Sequence, residues 1–97
     1  MKNPLLKKAI KIANAISKEY NLLTIENNNF FNQYHDDLMI QRDCAWQVVN
    51  DIEYYEEKNE IKNALLDIKN LEKTLIYCKA VIALQKQTNK LPESIYG

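Results

Sequence analysis

Phe31, Tyr34, Leu38, Gln41, Ala45, Val48, Ile52 and Tyr55 follow one another in unbroken steps of three and four residues. That seven-residue period belongs to a helix packed along its whole length against others. Strands alternate every second residue and do not produce it. Gln41 is the one polar member, so it reads as a seam residue that fixes register at some cost in stability. The predicted helix covers about 29–56 and is roughly 40 Å long at ~1.5 Å per residue.

A shorter stripe precedes it. Leu5, Ala9, Ile12, Ile16, Tyr20 and Leu23 recur at helical spacing, while Lys7, Lys11 and Lys18 lie largely off the stripe. The expected helix runs over about 4–22, with Asn3 as its N-cap and Pro4 in the first turn, where a missing N–H costs nothing. The connector TIENNN offers Thr24, Asn28 and Asn29 as caps for the long helix without favouring one. A third stripe, Ile61, Leu65, Ile68, Leu71, Leu75, Cys78 and Ile82, predicts a helix over about 59–87. Asn89 and Pro92 supply a stop signal, and a flexible tail is expected over 90–97.

The segment DIEYYEEKNE decides how the last two helices meet. Tyr55 and Ile61 are six residues apart; on one continuous helix the two stripes would point about 120° apart. One bundle cannot easily bury both. A short turn near Glu57–Asn59, with Asn59 capping the third helix and Glu60 in its first turn, turns both stripes inward. The alternative, one helix through both segments, would need a partner chain to cover it.

Composition agrees with an all-helical fold. The only glycine is Gly97 and the only prolines are Pro4 and Pro92. Hairpin turns, phosphate-cradling loops and dinucleotide fingerprints lean heavily on glycine, so β-rich and P-loop folds are disfavoured. The fold class is therefore all-α: one domain over 1–97, a small antiparallel up-down-up bundle of three main helices. Lysine, asparagine and isoleucine are abundant, the signature of an AT-rich coding sequence of bacterial or phage type.

Charge is uneven although the chain is neutral overall. Residues 1–23 carry five lysines against Glu19, residues 24–57 carry eight acids against Arg42, and residues 58–97 carry seven lysines against four acids. Either the acidic middle helix pairs with its basic neighbours, or one of its faces meets a basic partner. Exposed pairs of the first kind are worth about 0–1 kcal/mol each.

No constellation for catalysis, metal or cofactor emerges. Glu53, Glu56, Glu57 and Glu60 have the clustering of a Mg²⁺ site, but such a site needs a second acidic pair on the next helix, which offers only Asp67 and Glu72. His35 is the only histidine, and residue 32, three before it, is asparagine, so a Glu-x-x-His di-iron motif is absent. An Arg42–His35 pair matches no ribonuclease spacing. Cys44 and Cys78 are expected to be reduced and largely buried. Nucleic-acid binding rests only on Lys7, Lys8, Lys11 and Lys18 in a chain of sequence pI about 6.6, a weak footprint. Lys7, Lys8 and Lys11 interrupt any apolar leader, and no stretch reaches the ~18 apolar residues of a membrane span. The cytoplasm is the expected location.

The expected function is stoichiometric protein binding, the work of an inhibitor, immunity protein, anti-defence protein or adaptor. The candidate surface is Asp36, Asp37, Asp43, Trp46, Asp51, Glu53, Tyr54, Glu56 and Glu57, acids for encounter with a basic partner and aromatics for retention. A homo-oligomeric scaffolding module, with a second copy as partner, is the alternative; a nucleic-acid-binding regulator comes third.

Overall fold

A computed structural model describes residues 3–25 and 28–90. Three helices, α1 (Pro4–Asn21), α2 (Asn28–Glu57) and α3 (Ile61–Lys90), each pack against the other two. Among the described residues there is no strand. The bundle is elongated, 59 × 19 × 17 Å, as helices of 30 residues joined by short connections require. The expected tail lies outside the described residues from 91 onward, as does Pro92; Asn89 continues α3 instead of ending it.

The core runs along the bundle axis. Ala9, Ile12, Ala13 and Ile16 of α1 meet Leu38, Ala45, Val49 and Ile52 of α2 and Ala64, Ile68, Leu71, Cys78, Val81 and Ile82 of α3. Fully burying a side chain such as Ile16, Leu38, Ile52 or Leu71 contributes about 1.5–3 kcal/mol. Two positions depart from the expected α2 stripe: Phe30 and Val49 are buried in place of Phe31 and Val48, which are only partly covered. A straight helix repeats every ~3.6 residues and drifts ~20° per heptad, so its inward line slides off a strict seven-residue pattern. On α3 the departure is larger. Ile61 and Leu65, expected in the core, are exposed, while Ala64 is buried.

Gln41 is half-buried and donates to Asp37 Oδ1 one turn earlier, at 3.3 Å, so it is not the polar device of the seam. That place belongs to Gln85, the buried polar residue of α3. Its amide donates to the Leu22 carbonyl (3.0 Å) and its oxygen accepts from the Thr24 amide (2.9 Å), tying the α1–α2 connector to the far end of α3. The cysteines also differ from expectation: Cys78 is buried but Cys44 is exposed, and both are free thiols.

Asparagine takes the roles that glycine fills elsewhere. Among the described residues, the non-glycine positions with positive φ are Asn3 (58°) and Asn59 (60°), and asparagine is among the few side chains that tolerate this region. Asn59 does not cap α3. It ends α2: the Asn59 amide donates to the Glu56 carbonyl (3.2 Å) and the Glu60 amide to the Tyr55 carbonyl (2.7 Å), the bonding of a Schellman motif. Glu60 stands one residue before α3 rather than in its first turn; its carbonyl accepts from Ala64 N–H and its carboxylate from the Asn63 amide. The left-handed residue turns the chain sharply enough for α2 and α3 to form an antiparallel hairpin, as the phase jump after Tyr55 predicts.

A candidate protein-binding surface on α2

Rotation along α2, about 100° per residue, sorts its polar side chains into three lines. One faces α1, one faces α3, and the third points outward.

On the α1 side the candidates are committed to packing. Glu56 is half-buried, and its two carboxylate oxygens accept the Leu5 amide (3.1 Å) and the Leu6 amide (3.0 Å). These amides lie in the first turn of α1, where helix N–H groups lack intrahelical partners and the dipole favours an anion. Asn3, the expected cap, occupies the N-cap position but makes no side-chain capping bond. Glu56 therefore serves as the cap from another helix. Trp46 donates its indole N–H to Ser17 Oγ at 3.1 Å and lies half-buried against the core. Further up, His35 stacks on Phe31 with ring centroids 4.7 Å apart. In the neutral imidazole, Nδ1–H donates to Asp36 (3.1 Å) and Nε2 accepts from the Tyr20 hydroxyl (2.9 Å). The Arg42 guanidinium lies 4.5 Å from the Tyr20 ring centroid and also bonds Asp43. The cluster closes the α1–α2 seam with rings and a cation–π contact.

On the α3 side, Asp37 accepts the Tyr77 hydroxyl as well as Gln41. That bond holds the Tyr77 phenol protonated and pushes its pKa up to about 12, with partial burial and the Asp37 charge adding to it. Next to it, burial pushes the Cys78 thiol up to about 11, helped by the charges of Asp37 and Glu19. Further along, burial raises the Asp67 carboxyl above its ordinary value, and the facing Asp51 carboxylate raises it further.

The outward line carries Asp36, Asp43, Tyr54 and Glu57, flanked by Asp51 and Glu53, and all six are exposed. Tyr54 is half exposed, edge-on to Tyr55, with the Lys58 ammonium 5.8 Å from its ring centroid. Ile40 stands on the same line, 53% exposed, and was not singled out from the sequence. Its signal was available, since it is a large apolar residue off every seam position. The structure thus separates the nine sequence-nominated residues. Glu56, Trp46 and Asp37 hold helices together, and the other six are exposed.

No α2 carboxylate lies within ion-pairing distance of a lysine of α1 or α3 among the described residues. Among the described residues, the one ion pair between helices is Lys8–Glu72 (3.5 Å), joining α1 to α3. Asp36 and Asp43 pair only with their own neighbours His35 and Arg42. Lys8 and Glu72 also border a second surface feature, an open groove of about 590 Å³ between α1 and α3, floored by Leu65, Leu66 and Ile68 and edged by Lys62 and Lys69. No described helix is long and apolar enough to cross a membrane, and no group of three or more His, Cys, Asp or Glu among the described residues is placed to hold a metal ion. No protein-family model, curated protein or solved structure matches this chain.

Proposed function

We propose that this chain acts by stoichiometric binding to a basic protein, as an inhibitor, immunity, anti-defence or adaptor protein does, through the outer ridge of α2. The observation that carries the reading is the missing compensation. None of the α2 carboxylates forms an ion pair with α1 or α3 among the described residues, although both neighbours are rich in lysine. An unneutralised acidic line speeds encounter with a positive surface, and the exposed Tyr54 and Ile40 offer apolar anchors that slow release.

The test reverses Glu53 and Glu57 to lysine together and leaves Glu56, the cap of α1, in place. Wild type and variant, both verified as helical by circular dichroism, are used to capture proteins from a lysate of the source cell. A basic protein retained by the wild type at low salt and lost by the variant supports the reading, and Tyr54→Ala then speeds its dissociation. A partner held equally by all three removes this ridge.

A further inference from the structure

The groove between α1 and α3 is edged by charge that the bundle does not use. Leu65 and Leu66 are 48% and 61% exposed there, above the buried Ile68. Lys62 and Lys69 are seven residues apart. On a helix that spacing puts them on one line about 10 Å from each other, with Leu65 and Leu66 to either side of it. Lys8, on the α1 edge, is already paired with Glu72. Lys62 and Lys69 have no ion pair among the described residues. The groove therefore fits an apolar residue set between two anions at the same spacing.

The outer line of α2 carries that pattern. Asp36 and Asp43 are also seven residues apart, with the exposed Ile40 between them. Asp36 bonds only its neighbour His35, and Asp43 only its neighbour Arg42. We propose that the Asp36–Asp43 stretch of α2 in one copy seats in the α1–α3 groove of another. Ile40 then rests on Leu65 and Leu66, and the two aspartates meet Lys62 and Lys69. An open groove does not enclose the roughly 70–90% of a small ligand's surface that a small-molecule site covers. A flat bilayer would not reach a floor recessed between two helices. A helix ridge reaches it and brings its own solvent-facing side.

The packing also decides the symmetry. Each helix contacts the other two, so the bundle is triangular in section and the α1–α3 side lies opposite α2. The two halves of the contact are thus on opposite faces of one molecule. A copy seated by its ridge leaves its own groove free for the next, and the association is head-to-tail. A two-fold contact of α2 on α2 would set acid against acid. The inference does not rest on the reading of the ridge as a site for a basic protein, whose test alters Glu53 and Glu57.

Sedimentation velocity and light scattering from low micromolar to near-millimolar protein test it. The mass should rise with concentration past two chains, and less so in high salt. Asp36→Lys with Asp43→Lys disables the ridge, and Leu65→Lys with Leu66→Lys disables the groove. All four positions are exposed, and circular dichroism checks that both variants stay helical. Each alone should weaken association roughly ten-fold or more. Mixed in equal amounts, they should form a one-to-one dimer and grow no further, because one keeps the groove and the other the ridge. Asp36→Asn with Asp43→Asn, which adds no charge beside Arg42, should weaken association in the same sense and keeps the test readable if the lysines disturb α2. A single-chain mass at every concentration overturns the proposal. So does association indifferent to the substitutions, or a failure of the two variants to complement each other. A monomer that uses Lys62 and Lys69 to hold anionic vesicles or an unrelated acidic protein also overturns it. A basic partner bound by chains that stay single overturns it too, and leaves the earlier reading standing.

Discussion

Glu56 closes the N-terminus of a helix far before it in the chain: its carboxylate accepts the amide of Leu5, 51 residues earlier, at 3.1 Å, with Leu6 alongside. A cap is usually supplied by the residue next to the helix. Here it is supplied by the end of α2, so the first turn of α1 is completed only when the bundle is assembled.

Replacing Glu56 with alanine should therefore destabilise the whole fold by about 1–2 kcal/mol, the scale of a lost cap and a lost dipole partner. Glu56→Gln keeps an acceptor and should cost less. Glu53→Gln, an exposed neighbour, should change stability hardly at all. Urea unfolding midpoints of the three variants provide the check, and equal shifts for Glu53 and Glu56 would remove the capping role.

Gln85 and Gln41 give a paired test. Gln85→Leu leaves the Leu22 carbonyl and the Thr24 amide without their partner, at about 1–3 kcal/mol for each group that stays buried. Gln41→Leu loses only a 3.3 Å bond within its own helix and should leave the melting temperature unchanged or slightly higher. Amide exchange adds a local readout: Thr24 N–H should lose protection in the Gln85 variant and keep it in the Gln41 variant.

Stability should fall on the alkaline side. Tyr77 and Cys78 both have folded pKa values above their ordinary values of 10.0 and 9.0. Above pH 9 the unfolded chain gives up these protons first, so deprotonation favours unfolding. Their contributions are whole below those ordinary values and lost as pH rises through about 11 for Cys78 and about 12 for Tyr77. Tyr77→Phe should flatten the upper part of the decline in urea melts taken at successive alkaline pH values. An unaltered slope would show that Asp37 does not hold the phenol.

Asp67 should act with the same sign at lower pH. Burial first, and the Asp51 charge second, raise its pKa above 3.8, so its ionised form at neutral pH opposes folding and protonation relieves the strain. Asp67→Asn should raise the melting temperature at neutral pH, with the gain shrinking as pH falls through the folded pKa. Asp51→Asn should produce a smaller gain of the same sign, because it removes only the lesser cause.

The sequence made the architecture legible because its signals were long and redundant. Three apolar stripes and the phase jump between Tyr55 and Ile61 located the three helices and the turn. What it concealed were choices made between helices. After Ile52, a seven-residue count points to Tyr55, while a 3.6-residue helix turns Glu56 toward α1. An acid that reads as surface charge thereby becomes a cap. Gln85 was hidden for a similar reason, since its partners at Leu22 and Thr24 lie more than sixty residues away. Asn59 could be recognised as a turn residue, but only backbone geometry shows that it ends one helix rather than starting the next. For the acidic ridge, sequence supplied the charge and the helical face; that no lysine of α1 or α3 pairs with it among the described residues required the packed helices.

Glu56 and Gln85 grip opposite ends of the bundle, one holding the beginning of α1 and the other the connector that follows it. α1 and α3 run in the same direction, so the start of α1 and the end of α3 lie at opposite poles of a 59 Å rod. A tensile load applied at those two points would run along the rod and shear the helices past one another. It would fall first on these two polar clasps, and they would have to let go before the apolar core could slide. As a mechanical element the bundle is therefore latched at both poles, with the hydrophobic interior as the second line of resistance.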